Sequence, residues 1–149
     1  MNYLETYSYL VLFLASFISG SFIPFSSEAI ISTLLYKDFS LVGLIAVASL
    51  GNWIGGYTVF FMGYFGRWDI IKKYLKITPE AFEKFQKKFT FSIEILAFFC
   101  WIPFVGTLIL IALGIVKSSV IKIGLYMFMG RFTRYLIWGI LSKQFIKLI

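Results

Sequence analysis

The sequence predicts an all-α membrane protein that crosses the bilayer more than once, and three observations carry this prediction. Hydrophobic residues make up 60% of the 149 residues and charged residues 14%, whereas soluble domains have roughly 45–50% apolar and about 25% charged residues. Mean hydropathy is +0.87. Residues 39–66 carry no charge, and about 20 apolar residues are enough to cross the hydrocarbon core. The length suits one domain, so we expect a single membrane domain over residues 1–149.

The residue inventory excludes several kinds of chemistry. The chain has no histidine and one cysteine, Cys100, which excludes histidine proton relays, histidine–metal sites and an intrachain disulfide. We therefore expect no metal and no cofactor, and we interpret Cys100 as a small buried hydrophobe. The net charge is +7, but it is concentrated beside an apolar boundary. Anionic membrane lipids are the expected partners, and nucleic acid is not.

The apolar stretch over residues 6–27 has neither a basic flank nor a convincing cleavage site. We expect it to be retained as a membrane segment and not removed as a signal peptide.

Residues 67–91 predict a cytoplasmic amphipathic helix. Between residues 67 and 88, seven basic residues face three acidic ones, and such an excess marks a cytoplasmic loop. A capping hydroxyl at Thr78, followed by proline and an early acid, is typical of a helix start. Three phenylalanines then recur at helical spacing beside charged residues, as in helices that lie on a membrane surface. These are Phe82, Phe85 and Phe89. An exposed helix packed on the protein's own core is the alternative.

The chain contains an internal repeat with an offset of 79 residues. Residues 22–25 (Phe-Ile-Pro-Phe) match residues 101–104 (Trp-Ile-Pro-Phe), and at the same offset Gly51 falls on Gly130. We assign the first copy to residues 19–66 and the second to about 95–145.

Each copy reads as a broken apolar segment, a short turn and a full transmembrane helix. Pro24 and Pro103, with Gly106, are the expected breakers, because proline removes a backbone donor and clashes with the preceding turn. At 1.5 Å per residue the segment after Pro24 reaches only about 20 Å, so each broken segment is a candidate re-entrant hairpin. One crossing per copy would make the second copy upside down. The sequence therefore predicts an inverted repeat of a re-entrant broken helix plus a transmembrane helix.

Five polar residues fall inside the predicted membrane segments at related positions. Glu28 lies in the first broken segment and has Thr107 as its counterpart in the second copy. Asn52 lies in the longest helix, and its counterpart is Arg131. Arg134 follows three residues later, on the same helix face. Inverted repeats place a binding site where the copies meet, so these five residues predict a substrate- or ion-binding site.

The charges of this site indicate a phosphate-bearing ligand. A charged residue at the bilayer centre costs roughly 2.5–3.5 kcal/mol on insertion scales, so we expect Glu28 to pair with one arginine. The other arginine is left for an anion, and guanidinium matches phosphate in a bidentate fork. Glu28 is also suited to exchange protons, so proton coupling stays open. A static Glu–Arg bridge that only fixes the fold is the alternative.

These motifs resemble the DedA family of bacterial membrane proteins (the VTT or SNARE-associated domain group), and its YqaA-like short branch above all. The resemblance rests on residues 22–28, 50–52, 55–56, 101–106, 130–131 and 134–135. It implies two facing re-entrant loops, multi-pass insertion in the cytoplasmic membrane, and movement of phospholipid or undecaprenyl phosphate between leaflets. The chain departs from the pattern at Thr107, where the short branch often has an acid, and at Cys100 and Gly106, where longer members carry arginines.

The sequence thus predicts a lipid translocase or transporter that is not an enzyme. A non-transporting envelope or membrane-organising factor, acting through the surface helix, is the main alternative. An intramembrane hydrolase would have to work with Glu28 and a hydroxyl alone. A homo-oligomer stays open.

Overall fold

The computed structural model describes most of the chain, with gaps at both expected breaks and in the basic segment. It covers residues 2–21, 26–66, 69, 72, 73, 76, 78, 80, 81, 83, 84, 93–102, 105–115 and 117–149. Pro24 and Pro103 lie outside the described residues, as do Phe82, Phe85 and Phe89, whose predicted surface helix is therefore not tested. Within that segment, Thr78 Oγ1 accepts a hydrogen bond from the Ala81 N–H at 3.3 Å, as expected for a helix start there.

The regular elements of the described residues are helical, which confirms the predicted all-α class. They are α1 (Tyr3–Gly20), α2 (Ser27–Tyr36), α3 (Leu41–Tyr64), α4 (Ile93–Phe98) with the 3-10 turn Phe99–Trp101, α5 (Val105–Ile115) and α6 (Val120–Leu148). Of these, α3 alone is both long and apolar enough to cross a membrane, with 24 residues and a hydropathy of 1.4. At 1.5 Å per residue it is about 36 Å long. It occupies the stretch in which the sequence predicts the longest transmembrane helix.

Helix bounds and turns recur 79 residues apart. The long helices begin at Leu41 and Val120, and the short helices end at Tyr36 and Ile115. Each short helix closes with the same pattern of bonds, in which one N–H bonds the carbonyl three residues back (3.1 and 2.9 Å) and the next N–H bonds the carbonyl five residues back (3.2 and 3.1 Å). This is the Schellman motif.

Both Schellman motifs place a non-glycine residue in the left-handed region. Asp38 has φ 62° and Lys117, its counterpart at the 79-residue offset, has φ 50°. The two copies thus share a backbone conformation that side chains rarely adopt.

The two long helices run antiparallel. The Tyr57 hydroxyl, in the second half of α3, donates to the carbonyl of Val120 at the start of α6, at 3.0 Å. Near the other end of α6, a Cβ on Gly139 would lie 2.7 Å from Leu41, at the start of α3. Contacts therefore run in opposite order along α3 and α6.

The short helices and α1 follow from this pair. Phe13 and Phe17 of α1 meet Gly51 and Gly55 of α3 in the same order, so α1 and α3 are parallel, and α1 ends at Gly20 beside the middle of α3. Helix α2 then returns along α6 to the Asp38 turn. Each short helix packs on the long helix of the other copy, α2 on α6 and α5 on α3.

Two apolar clusters flank the crossing of α3 and α6. One joins α1, α2, the first half of α3 and the second half of α6, and it includes Leu12, Ile31, Leu44 and Tyr135. The other joins α5, the second half of α3 and the first part of α6 and includes Phe60, Leu110, Ile123 and Met127. The crossing is therefore held between two packed cores.

Replacing Asp38 by glycine should raise the free energy of unfolding by about 0.5–1 kcal/mol, because the left-handed conformation costs a non-glycine residue roughly 1–2 kcal/mol and the entropy of glycine offsets part of the gain. Lys117→Gly should raise the free energy of unfolding by a smaller amount. The Lys117 ammonium lies 5.8 Å from the centroid of the Tyr64 ring, and this cation–π contact is lost in the variant. Thermal unfolding in detergent measures both effects. As a control, Lys122→Gly inside α6 should lose about 1 kcal/mol. A less stable Asp38→Gly protein would contradict the strain at this turn.

Candidate functional site

Arg131 is enclosed where α3 and α6 cross, with 3% of its surface exposed. Its Nη1 donates to both the backbone carbonyl and the side-chain oxygen of Asn52, which is also buried. The Asn52 amide in turn donates to the carbonyl of Ser16 on α1 at 3.1 Å. Among the described residues no carboxylate pairs with Arg131. Neutral oxygen atoms therefore hold this guanidinium inside the protein.

The space for Arg131 depends on two glycines. A Cβ on Gly20 would overlap the Asn52 carbonyl, and one on Gly56 would lie 2.6 Å from Nη2 of Arg131. The thiol of Cys100, which is buried, faces the same guanidinium. Cys100 is therefore buried as predicted, but it lies beside a charge and not in a wholly apolar setting.

Several buried polar atoms, three near the crossing and one at the Lys117 turn, lack a hydrogen-bond partner within the described part of the chain. They are Arg131 Nε, Ser16 Oγ, Ser49 Oγ and Ser118 Oγ.

The second arginine forms the ion pair that the sequence leads us to expect. Arg134 Nη2 donates to the Glu28 carboxylate, linking α6 to α2. Its Nη1 donates to the carbonyl of Trp101 at 3.3 Å, in the 3-10 turn of the second copy. Glu28 lies in the first turn of the first short helix, and Trp101 is the last residue of the 3-10 turn that precedes the second. Arg134 therefore connects the two regions in which the copies break. The Arg134 and Glu28 side chains are 23% and 12% exposed, which makes this pair more accessible than Arg131.

A seam of hydroxyl groups and one indole continues from the ion pair along α2 and α6. Its hydrogen-bonded pairs are Ser27–Tyr135 at 2.7 Å, Ser32–Ser142 at 3.1 Å and Trp138–Ser32 at 3.2 Å. The Trp138 indole N–H also reaches the Glu28 backbone carbonyl at 3.2 Å. These contacts are not among those expected from the sequence, although the i, i+3, i+7 spacing of Tyr135, Trp138 and Ser142 marks one face of α6.

The predicted site residues thus fall into two pairs, and one stays apart. Arg131 pairs with Asn52 and Arg134 with Glu28, so the arginines have different partners despite their shared helix. Thr107 lies half-buried on α5; within the described residues, no hydrogen bond or ion pair joins it to the other four. The expected breaker Gly106 lies where a Cβ would overlap the carbonyl of Cys100, so only glycine fits there.

The chain is similar in sequence to a known membrane protein. Over 141 residues the chain is 33% identical to the uncharacterized membrane protein YkoX of Bacillus subtilis (strain 168), an alignment that covers 87% of this chain and 62% of that relative. The chain therefore spans less than two thirds of the length of YkoX. No protein-family model matches the sequence, and no solved structure matches it. The chain is a membrane protein.

Removing the Asn52 side chain should destabilise the protein by about 2–3 kcal/mol, because a hydrogen bond to a charged group is worth roughly 1.5–3 kcal/mol and the buried guanidinium loses one of its two acceptors on Asn52. Asn52→Leu should therefore unfold well below the wild-type temperature. In the Asn52→Leu/Arg131→Met double variant, most of that loss should disappear, since no buried charge remains. A double-mutant cycle of unfolding free energies in detergent measures the coupling. Additive losses in the cycle would contradict the Arg131–Asn52 contact.

Proposed function

We propose that the protein is a DedA-type (VTT or SNARE-associated domain) membrane protein of the bacterial cytoplasmic membrane, and that it moves a phosphate-bearing lipid between leaflets. The substrate is a phospholipid or a polyprenyl phosphate. The observation that carries the proposal is the partly exposed Glu28–Arg134 pair, which joins the breaks of both copies.

The helix directions support a re-entrant, multi-pass arrangement. Helix α1 ends at Gly20 beside Asn52 and Gly55, past the midpoint of α3 but short of its end, and α2 returns to the end of α3 from which α1 came. Helix α2 has 10 residues and α5 has 11, so each is about 15–17 Å long, too short for a hydrocarbon core of about 30 Å. With α3 across the membrane, α1 and α2 form a hairpin that enters and leaves on one side. The antiparallel α6 makes the second copy inverted.

The orientation follows from the basic segment. Gly66, just after α3, precedes the segment rich in lysine and arginine, which belongs in the cytoplasm. The Lys117 turn contacts Tyr64 at this same end, and the Asp38 turn lies at the opposite end of α3. In this arrangement Lys117 is cytoplasmic and Asp38 faces outward.

The charge balance favours an anionic substrate group. Two guanidinium groups and one carboxylate leave a net positive charge inside the membrane. Arg131 is enclosed and acts through its electrostatic field, whereas Arg134 is open enough to receive a ligand. In the proposed step, a lipid phosphate replaces the Glu28 carboxylate on Arg134, whose planar guanidinium matches phosphate in a bidentate fork. In an alternative version of this step, the released Glu28 carboxylate takes up a proton. Lipid movement would then be coupled to a proton gradient.

Arg134→Gln should slow lipid movement by roughly ten- to a hundredfold, the equivalent of one charge-assisted hydrogen bond of about 1.5–3 kcal/mol, because it removes the group that takes the phosphate. Glu28→Gln should slow it as well, because no carboxylate then displaces the phosphate from Arg134. The measurement uses the full chain in liposomes with fluorescent phospholipid or polyprenyl phosphate in one leaflet, with and without a pH gradient. Glu28→Gln and Arg134→Gln are compared with Glu94→Gln, which removes a half-exposed acid of α4 and should leave the rate unchanged.

Unfolding temperatures of the same samples separate a loss of transport from a loss of folding. If wild-type protein moves neither lipid faster than empty vesicles do, the proposal is wrong. The protein is then better described as a non-transporting envelope factor.

A further inference from the structure

An open apolar groove lies between α2 and α6, on the side of the ion pair toward the Asp38 turn. Its volume is about 590 Å³, within the range of roughly 300–1,000 Å³ that is usual for small-molecule sites. Exposed faces of Tyr36, Leu141 and Phe145 form its walls. The Ser32–Ser142 pair of the seam lies at its base. The groove is thus a carbon-lined space on the outer surface of a membrane protein.

A smaller cavity of about 270 Å³ adjoins this groove at Ile146, which lines both. Its lining includes Lys143 and Lys147 on α6 and Asp38 on the turn before α3. All three side chains are exposed. Among the described residues neither lysine makes an ion pair. An apolar space therefore opens beside two ammonium groups and one carboxylate. These three groups together carry a net charge of +1.

We propose that these two cavities together bind one anionic phospholipid, with an acyl chain in the groove between α2 and α6 and the phosphate between Lys143 and Lys147. Lipid surrounds this surface, so an acyl chain that enters the groove gains no hydrophobic free energy. The selectivity therefore comes from the headgroup, because lysines near the membrane surface attract anionic lipid. The Trp138 indole, which lines the groove, bonds the Glu28 carbonyl and places this lipid next to the ion pair. The binding of this lipid does not depend on whether the protein translocates lipid.

The headgroup contact is tested by native mass spectrometry of the purified full chain, titrated with phosphatidylglycerol or with diacylglycerol of the same acyl chains. The Lys143→Gln/Lys147→Gln protein should bind phosphatidylglycerol more weakly, by roughly fivefold for each lysine removed, and diacylglycerol as the wild type does. Lys122→Gln, at the opposite end of α6, is the matched control and should change neither affinity. Asp38→Asn removes the opposing carboxylate and should tighten phosphatidylglycerol binding. Equal affinities of the double variant and the Lys122→Gln protein would overturn the proposal.

The acyl-chain contact is tested by filling the groove. Thr33 lines the groove and Thr133 does not; both are exposed and both donate their hydroxyl to the carbonyl four residues back, at 2.8 Å. Thr33→Trp should reduce the binding of both lipids, and Thr133→Trp should leave it unchanged. If Thr33→Trp instead disperses a dimer and leaves lipid binding intact, the groove is an interface between two copies of the chain and the proposal is wrong.

Discussion

The contact between Arg131 and Asn52 is the constraint on which the rest of the structure depends. A guanidinium that is 3% exposed inside a membrane protein must be given acceptors, because an unpaired buried charge is strongly destabilising. Asn52 supplies two oxygen atoms, and its own amide is fixed by α1. This requirement brings α1, α3 and α6 to one point. Gly20 and Gly56 leave room for the guanidinium. The same two glycines therefore permit both the close approach of the helices and the burial of the charge.

The same contact lies at the centre of the repeat. Asn52 and Arg131 are equivalent positions, 79 residues apart in the sequence. Equivalent residues touch when they lie on the two-fold axis that relates the copies. Away from this axis each short helix lies on the long helix of the other copy, and Arg134 reaches from α6 to both breaks. A movement of the helices beside the breaks would therefore disrupt the Glu28–Arg134 pair first. The Arg131–Asn52 contact would hold the crossing of α3 and α6 in place.

Much of this could be predicted from the sequence, and the failures have a physical reason. The helical class, the long α3 and the helix start at Thr78 follow from hydropathy and capping chemistry. The pairing of Glu28 with an arginine follows from charge, but the choice of Arg134 depends on the rotation of α6, which spacing alone does not fix. Thr107 was placed in the site because it is the counterpart of Glu28. Equivalence under a two-fold axis implies contact only on that axis, and Thr107 lies away from it. The serines of the seam carry no signal by themselves, since serine is common on helix surfaces.

The central claim is that the two copies lie in the membrane in opposite orientations, and cysteine labelling in intact cells tests it most directly. Native Cys100 is buried, so single cysteines at Asp38 and Lys117 report the two equivalent turns. If the copies are inverted, a membrane-impermeant maleimide labels the cysteine at position 38 in intact cells and the cysteine at position 117 only after permeabilisation. Labelling of both turns from the same side would contradict this inversion.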